Sequence, residues 1–537
     1  MNRPENYEYI VVGAGSAGCA LAARLAASGR SVLLLEAGED DRWIWIRIPA
    51  GVAYILRGER GLRRFHTEAE THMNNRSIFW PRGKVVGGSS SVNGMIWVHG
   101  DPAEFDRWRD EFGATGWGYD DLKPIFREIE GYAGGDPAVR GRSGPVSVTE
   151  FRSRHPLMDA FVDSCVSAGI PRNPDYNGVD YEGVGYIQHN IRKGWRWSSR
   201  EAFIRPLAKD ANLRLQTGAL VSRILFDGTT ATGVEYRHGG QLVKANASRE
   251  VILCAGAIQS PQILELSGIG QRHLLDRLGI PVLQDAPAVG ENLQDHLHTR
   301  VTYECRNAVT LNQIMRNPLR KAWMAADFAL RGRGMMSCAS AVAHALAKSD
   351  PAQAQPDVKL QLHWLSSPDA RDPKKLVLDD FPGFSIGTFP LRPTSRGSVH
   401  IRSREPGEAP AIRANYLSSD EDQRITVAAI ELARKVAAQP ALAPFVVRET
   451  RPGPRQLQGS DLLDYAKTIG QTSYHPVGTC RMGADAQAVV DPCLRVRGVS
   501  SLRVADASIM PTMCSANTNA PSMMIGEKAA RLIQSGN

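Results

Sequence analysis

The sequence lacks the features that define several classes of protein. No apolar run approaches the roughly 18 residues that a membrane-spanning helix needs, so we expect no transmembrane segment, while peripheral contact with a membrane stays open. The opening residues, MNRPENYEYIVVGAG, hold no basic stretch followed by an apolar one, and they predict no signal peptide. The eight cysteines are widely scattered and form no CxxC pair, which favours a reduced, cytoplasmic setting.

Blocks of like charge are also missing, although the 64 basic and 56 acidic residues leave a formal net charge of +8. Because the two signs interleave along the whole chain, the sequence argues against a nucleic-acid partner. The mild basic excess suits an anionic cofactor or an acidic membrane surface. The chain holds no internal repeat or low-complexity segment, and its 537 residues are too many for one hydrophobic core, so we expect two domains.

Glycine is abundant, and its first cluster lies in YEYIVVGAGSAGCALAARLAASGRSVLLLEAG, residues 7–38. The pattern predicts a strand ending at Val12, a GxGxxG turn, a helix to about Ser28 and a second strand ending at Glu36. The helix N-terminus offers N–H donors to phosphates, and Glu36 is spaced to hold an adenosine ribose. A glycine-rich turn without a ligand is the alternative. The residues predicted to bind a dinucleotide here are Gly13, Ala14, Gly15, Ser16, Ala17, Gly18, Glu36 and Ala37.

Five further segments resemble, in order, the motifs of the glucose–methanol–choline (GMC) flavoprotein oxidoreductases. They are GKVVGGSSSVNGMIWVHGDPAEFD (83–106), GAIQSPQILELSGIG (256–270), VGENLQDHL from Val289, SYHPVGTCRMG from Ser473 and DASIMPTMCSANTNAPSMMIGEKAA from Asp506. The resemblance runs from about residue 7 to residue 534 and is weakest between residues 301 and 385. It implies an FAD cofactor.

The resemblance also implies which residues hold the FAD. It places Arg82, Gly83, Val86, Gly88 and Ser89 along the pyrophosphate and ribityl chain, and the main chain of Asn93, Gly94, Met95 and Ile96 beside the reactive edge of the flavin. It places Val221 at the adenine and Ala255 and Gly256 at the adenosine, and it adds Tyr474, Asp506, Ala507 and Asn517 to the cofactor site. Members with covalent flavin carry a histidine where this chain has Val92, so we expect non-covalent FAD.

His475 is the predicted catalytic base. A histidine before a proline is by itself more often structural, but His475 lies in the catalytic motif of the resembled family. An imidazole with a reference pKa near 6.5 can take the hydroxyl proton of an alcohol while hydride leaves for flavin N5 and an aldehyde forms. The resemblance assigns Asn519, 44 residues later, as its hydrogen-bonding partner. The alternative is that Asn519 caps a helix beginning near Pro521.

The resemblance implies that the substrate is a small alcohol and that its electrons go to oxygen or to a quinone or other acceptor. The predicted substrate-binding residues are Trp97, Val342, Trp364 and Phe389, although aromatic residues on sheets are more often plain core. Val342 occupies the place of an acidic residue in many relatives, which disfavours a quaternary ammonium substrate and favours neutral alcohols. His296 and His298 form an HxH pair without an evident third ligand, so we expect no metal.

The expected fold is α/β. A Rossmann-like FAD-binding domain with a parallel sheet takes residues 1–155, 196–300 and 466–537, and a substrate domain takes residues 156–195 and 301–465. The alternating runs VKLQLHWL, FSIGTFPL and GSVHIRS predict an antiparallel sheet, covered by helices such as DEDQRITVAAIELARKVAAQ, and residues 307–345 suit a lid or pocket wall. Two other functions stay open: a hydroxynitrile lyase with structural FAD, and a flavin-binding protein without turnover.

Overall fold

The computed structural model describes residues 5–151, 153–339, 341–368, 377–453 and 458–536. The described strands are β1 Glu5–Val12, β2 Val32–Leu35, β3 Leu62–His66, β4 Phe79–Gly83, β5 Glu130–Tyr132, β6 Val146–Glu150, β7 Gly183–Tyr186, β8 Gln188–His189, β9 Ile191–Arg192, β10 Trp195–Arg196, β11 Leu213–Gln216, β12 Leu220–Asp227, β13 Thr230–His238, β14 Gln241–Leu253, β15 Ile269–Gly270, β16 Gln284–Asp285, β17 Leu297–Cys305, β18 Ala341–Ala347, β19 Val358–His363, β20 Gly383–Pro390, β21 Ser398–His400, β22 Ala411–Arg413, β23 Val446–Arg451, β24 Gln471–Thr472 and β25 Leu502–Val504.

The described α-helices are α1 Ser16–Ala27, α2 Ile44–Arg47, α3 Val52–Arg57, α4 Pro102–Glu111, α5 Tyr119–Ile129, α6 Pro156–Ser167, α7 Gly256–Leu266, α8 Arg272–Arg277, α9 Leu311–Arg316, α10 Pro318–Arg331, α11 Asp420–Ala437, α12 Ser460–Ile469 and α13 Asn519–Gln534. Strands and helices thus mix in one chain, and the expected α/β class is confirmed. No helix of the described ranges is long and apolar enough to cross a membrane.

The first large sheet is built around β1. Its strand order is β11-β2-β1-β14-β13-β12, and β25 also pairs with β14. The strands β11, β2, β1, β14 and β25 run parallel, whereas β12, β13 and β14 form an antiparallel meander. Strand β2 and residues 9–12 of β1 are buried and apolar on both faces, as strands covered on both sides must be, whereas β11 at the edge is partly exposed. The sheet is the predicted Rossmann-like unit with an antiparallel edge.

The second large sheet is antiparallel throughout, in the order β23-β17-β20-β19-β18-β7, with β24 also paired to β17. Helix α11 lies against it with Ile425, Ala429, Ile430, Ala433 and Val436 buried, at helical spacing. Two of the three predicted strand runs, β19 and β20, belong to this sheet. The third run forms β21, which pairs antiparallel with β22 in a separate two-stranded sheet, and Val399 there donates its N–H to Gly290 O (2.7 Å).

The C-terminal helix α13 packs along α1. A Cβ atom at Gly526 would lie 2.2 Å from Ala17 O, so only glycine permits this approach, and Arg24 pairs with Glu527 at 2.7 Å. The helix begins at Asn519, earlier than the predicted start near Pro521. This packing brings the residues before α13 to the turn that follows β1. Strand β17 begins at Leu297, inside the predicted cofactor-domain piece 196–300, and the division into two domains stays a prediction.

Candidate active site

The turn between β1 and α1 carries the predicted dinucleotide fingerprint. A Cβ atom at Gly18 would lie 2.0 Å from Gly13 O, so glycine is required for the helix to pack against the turn. Gly15 precedes the helix, and no side chain caps its first turn. The N–H groups there therefore stay available for an anionic group, which the positive end of the helix dipole favours.

Glu36 follows β2 and closes the same turn. Its Oε2 accepts a hydrogen bond from Ala14 N (3.1 Å), and its Oε1 accepts one from Gly38 N (2.8 Å). Burial raises the pKa of Glu36 to about 7, although the two backbone N–H groups act in the opposite direction. The carboxyl group is therefore held rigidly at the end of the strand, where a ribose of a dinucleotide binds in this type of fold.

A cavity of about 140 Å³, which we call the dinucleotide cavity, opens beside Glu36. The predicted residues that line it are Gly13, Gly15, Ser16, Ala17, Glu36, Ala37, Arg82, Gly83, Gly88, Ser89, Val221, Ala255, Gly256, Asp506 and Ala507. Three predicted residues lie behind its wall instead of in it. Ala14 and Val86 are fully buried, and Gly18 faces the backbone of Gly13.

A second cavity of about 310 Å³, which we call the histidine cavity, contains His475. The predicted residues that line it are Ser16, Arg82, Ser89, Asn93, Gly94, Met95, Ile96, Phe389, Tyr474, His475, Asn517 and Asn519. The two cavities share Ser16, Arg82, Ser89 and Ser522 in their walls. One elongated molecule can therefore extend from Glu36 to His475, and the shape and the donor groups fit FAD.

His475 is held at three points. Its backbone N–H donates to Asp295 Oδ1 (2.7 Å), its Nδ1 lies 3.0 Å from His296 Nδ1, and its Nε2 lies 2.9 Å from Asn517 Nδ2. His296 Nε2 is in turn 3.0 Å from Leu391 O. Since a carbonyl oxygen only accepts, His296 carries its proton on Nε2. Its Nδ1 must then accept the proton of His475 Nδ1, which leaves His475 Nε2 unprotonated.

A buried lysine supports the same arrangement from the other side. Lys359 Nζ donates to Asn517 Oδ1 at 2.7 Å. An ammonium group cannot accept a hydrogen bond, so the amide oxygen must face Lys359 and the amide N–H must face His475 Nε2. Burial lowers the pKa of Lys359 to about 7. Burial, with His296 and Lys359 nearby, holds the pKa of His475 well below its ordinary value, so His475 is neutral near pH 7.

The pairing of His475 with Asn519 stays a prediction: Asn517 lies at His475 Nε2 (2.9 Å), and Asn519 lines the same cavity. Asn519 is the first residue of α13, and its Oδ1 accepts a hydrogen bond from Ser16 Oγ (2.9 Å). Its Nδ2 is buried and has no hydrogen-bond partner among the described residues. Both asparagines therefore line the cavity of His475, and the sequence interpretation placed Asn517 only in the cofactor site.

The second large sheet forms the floor of the histidine cavity. Alternation along β19 puts Lys359, Gln361 and His363 on one face, and all three are buried. On β17, His298 and Arg300 face the same space, and Gln361, His363, His298 and Arg300 all line the cavity. Phe389 on β20 lies near both His475 and this group, with its ring centroid 6.0 Å from that of His475 and 6.2 Å from that of His298.

Three predicted substrate residues lie outside the cavity. Trp97 is fully buried, and its Nε1 donates to Glu130 (2.7 Å). Val342 is fully buried in the core between the second sheet and its helices, and so is Trp364, whose ring packs against Phe151. The sheet pattern could not reveal which face each residue occupies. Phe389 does line the cavity, and so do Ala339 and Ala341 from the predicted lid or wall segment.

The sequence interpretation missed Lys359, Asp295, His296 and Arg300. A signal existed for two of them, because Asp295 and His296 lie in the VGENLQDHL motif, where their role as supports of His475 was not recognised. Lys359 and Arg300 looked like the polar half of alternating strands, which normally faces solvent. Within the described ranges, no group of three or more His, Cys, Asp or Glu side chains is placed to hold a metal ion.

Comparisons with known proteins agree with this geometry. The sequence profile of the N-terminal part of the GMC oxidoreductases matches residues 7–298, and that of the C-terminal part matches residues 393–526. Mitochondrial choline dehydrogenase of Homo sapiens is 41% identical over 540 residues, covering 99% of this chain and 90% of that protein. Alcohol dehydrogenase [acceptor] of Pseudomonas putida is 37% identical over 531 residues, covering 98% and 95%.

The fold is shared with solved structures as well. The crystal structure of pyridoxine 4-oxidase from Mesorbium loti superposes with a TM-score of 0.89 at 31% identity, covering 99% of both chains. Both family profiles lie in order on this chain and together take in the dinucleotide turn, His475 and Asn517. The chain therefore belongs to the GMC oxidoreductase family, as a flavoprotein enzyme that uses FAD and acts on CH–OH donors.

Proposed function

We propose that the protein oxidises a primary alcohol to an aldehyde, with His475 as the base that takes the hydroxyl proton. The observation that carries the proposal is the unprotonated Nε2 of His475 at the cavity wall. When FAD is bound, it supplies a hydride acceptor at N5 of its ring system. Loss of the hydroxyl proton to Nε2 increases the electron density on oxygen, which weakens the adjacent C–H bond and favours hydride release.

Asn517 positions the alcohol in this proposal. Its Nδ2 now donates to His475 Nε2 at 2.9 Å. A substrate hydroxyl that replaces this contact meets the ring nitrogen as acceptor, while the amide N–H turns to the alcohol oxygen and stabilises its developing negative charge. Lys359 keeps the amide in the required orientation through its contact with Oδ1. It also adds positive charge behind the site, which disfavours protonated His475 before the substrate arrives.

The proposal also covers the attachment of FAD, the electron acceptor, the domain bounds and the location. FAD is bound non-covalently, because the chain has Val92 in the wall of the histidine cavity where a histidine would attach it. The electrons of the substrate pass on to oxygen or to a quinone-like acceptor. The FAD-binding domain takes residues 1–155, 196–300 and 466–537, and the substrate domain takes the rest. We keep a cytoplasmic location as a prediction, with peripheral contact with a membrane still open.

An anaerobic titration with alcohols tests the proposal. The purified yellow protein is mixed without oxygen with a panel of aliphatic and aryl primary alcohols, and absorbance and product are followed together. We expect the flavin to bleach in step with the formation of one aldehyde per flavin. A protein that stays yellow with every alcohol but releases cyanide and a carbonyl compound from a cyanohydrin would instead be a lyase, and a protein that does neither would be a flavin binder.

A further inference from the structure

We propose that the alcohol substrate carries a carboxylate, and that Arg300 on the floor of the histidine cavity binds it. The inference rests on the proposed function for the reacting end of the substrate, where His475 takes the hydroxyl proton. It adds the chemical group at the other end of the substrate, which is a carboxylate. It also sets this chain apart from the choline dehydrogenases to which it is similar, because choline is a cation.

The charges in the cavity wall all have one sign. Among the described lining residues there is no aspartate or glutamate, whereas the guanidiniums of Arg82 and Arg300 both line the space. The imidazoles of His298, His363 and His475 also line it, and they are neutral near pH 7 because burial lowers the pKa of each. A buried cationic ligand without an anionic partner would lose its hydration and gain no ion pair in return. A quaternary ammonium group therefore has no counter-ion here.

Asp295 is a buried carboxylate beside His475, but it already has partners. Its Oδ1 accepts the N–H of His475 (2.7 Å), and its Oδ2 accepts hydrogen bonds from Thr472 and Tyr416. Burial raises the pKa of Asp295 to about 6. Both oxygens thus support the loop that holds His475, and neither faces a substrate.

Arg300 is the lining cation without a partner. Its Nε is buried and makes no hydrogen bond within the described residues, and no carboxylate among them forms an ion pair with its guanidinium. Its backbone oxygen, by contrast, accepts a hydrogen bond from Tyr465 (2.6 Å). Other buried guanidiniums have side-chain or backbone partners: Arg140 pairs with Glu130, and Arg196 donates to Ser90 O and Asn93 Oδ1, although one of its nitrogens has no partner among the described residues.

The position of Arg300 fits an anion that is held apart from the reacting carbon. Arg300 lies two residues beyond His298 on β17, about 7 Å further along the strand. The ring of Phe389 lies near both His298 and His475, with ring centroids 6.2 and 6.0 Å apart. A substrate whose hydroxyl lies at His475 thus reaches Arg300 through an apolar chain that passes Phe389. A single guanidinium binds a carboxylate through two parallel hydrogen bonds, which matches one unpaired cation with one negative charge.

Matched substrates test the inference in the FAD-loaded enzyme. The probes are a series of unbranched ω-hydroxycarboxylates, the primary amides of the same chains, and choline, each assayed for kcat/KM with an artificial electron acceptor. We expect the best carboxylate to exceed its amide about tenfold or more, as one charged hydrogen-bonded pair provides, and choline to be poorer than both. Equal values for carboxylate and amide, or a preference for choline, would overturn the proposal.

The variants Arg300→Gln and Arg300→Lys assign the preference to this residue. Arg300→Gln should bring the ratio of carboxylate to amide close to one, and Arg300→Lys should restore part of it. Arg448→Gln is the matched control, since it removes an exposed guanidinium that pairs with Glu304 at the same sheet, and it should keep the wild-type ratio. If Arg300→Gln slowed acid and amide equally, Arg300 would act on the cofactor or the fold, and the proposal would be wrong.

Inhibition of the wild-type enzyme supplies a second measurement that needs no variant. Unbranched monocarboxylates without a hydroxyl group should compete with a neutral alcohol, and tetramethylammonium should not. Inhibition by tetramethylammonium alone would overturn the proposal. Failure of this inference is distinguishable from failure of the proposed function, because bleaching of the flavin by neutral alcohols would still show alcohol oxidation.

Discussion

At the scale of single residues, Lys359 controls the environment of His475. The lysine is fully buried, its ammonium contacts Asn517 at 2.7 Å, and it lies 5.8 Å from the centroid of the Phe389 ring. It reaches His475 only through Asn517, so it is a positioning residue. Its charge disfavours a second positive charge on the imidazole nearby.

The variant Lys359→Met tests this role through the pH profile. Because the pKa of His475 is lowered, the wild-type rate of anaerobic flavin reduction should stay level near neutrality and fall only in acid, where His475 becomes protonated. Removing the neighbouring cation raises the pKa of His475, so the acid limb should move to higher pH. Lys348→Met, which removes a lysine that pairs with Glu182 at the surface, should leave the profile unchanged. An unmoved acid limb in Lys359→Met would contradict the assignment.

Substitution of each of the two asparagines near α13 should cause a different defect. Asn517→Ala removes the donor to the alcohol oxygen, and we expect flavin reduction to slow by about tenfold, the loss of one neutral hydrogen bond. Asn519→Ala removes the contact with Ser16 at the dinucleotide turn, so it should mainly weaken the binding of FAD. Rapid mixing and equilibrium FAD titration measure the two effects. The reverse pattern would support Asn519 as the hydrogen-bonding partner of His475, as the sequence predicts.

At the scale of elements, the turn between β1 and α1 explains why a glycine pattern signals a cofactor. The packing of the protein alone requires glycine at Gly18, since any side chain there would collide with Gly13 O. Gly15 is different, because an added Cβ would meet only Cys254 O, at 3.9 Å. The protein alone thus has room for a side chain at Gly15, which lines the dinucleotide cavity. We infer that a side chain at Gly15 would collide with the bound ligand, which explains why this residue is a glycine.

The pair Gly15→Ala and Gly18→Ala turns this difference into a prediction. Gly18→Ala should lower the free energy of unfolding of the FAD-free protein by about 1–3 kcal/mol, because the methyl group overpacks the turn. Gly15→Ala should keep that stability and bind FAD about tenfold or more weakly. Thermal unfolding of the FAD-free variants and titration with FAD measure the two quantities. Equal FAD affinity in Gly15→Ala and wild type would show that the cofactor does not approach this turn.

At the scale of the whole molecule, the two large sheets supply the two halves of the site. The mixed sheet around β1 bears the dinucleotide cavity, the antiparallel sheet bears the floor of the histidine cavity, and the shared wall joins them. One FAD molecule across both cavities therefore links the sheets. Its binding should raise the stability of the entire chain by an amount that grows with the free FAD concentration.

The release of FAD on unfolding follows from the same arrangement. Since the wall has Val92 where covalent members carry a histidine, acid precipitation should leave all yellow colour in the supernatant. Absorbance of the supernatant and of the redissolved pellet gives the two fractions. Colour that stays with the pellet after washing would contradict non-covalent binding.

Much of this fold and site could be predicted from the sequence because the signals are local. The β1–α1–β2 unit, the two central strands of the second sheet and His475 each lie in a short segment whose pattern has one physical explanation. Of the four predicted substrate residues only Phe389 lines the cavity, and the other three were misplaced for the opposite reason. Trp97, Val342 and Trp364 are apolar on strands or beside them, and only the packing of helices decides which face meets the cavity. Arg300 and Lys359 lie on the polar faces of alternating strands. Such faces usually meet solvent, but here they turn inward toward the site.

The proton acceptor is the central claim, and one measurement tests it most directly. The rate of anaerobic flavin reduction by a primary alcohol is compared between wild type and His475→Ala, each loaded with FAD, with exposed His273→Ala as the control. His475 holds no phosphate, so the variant should keep its flavin while reduction slows by about 100- to 10,000-fold, the contribution of one positioned acid–base group. Reduction of His475→Ala at the wild-type rate would show that the proton leaves by another route.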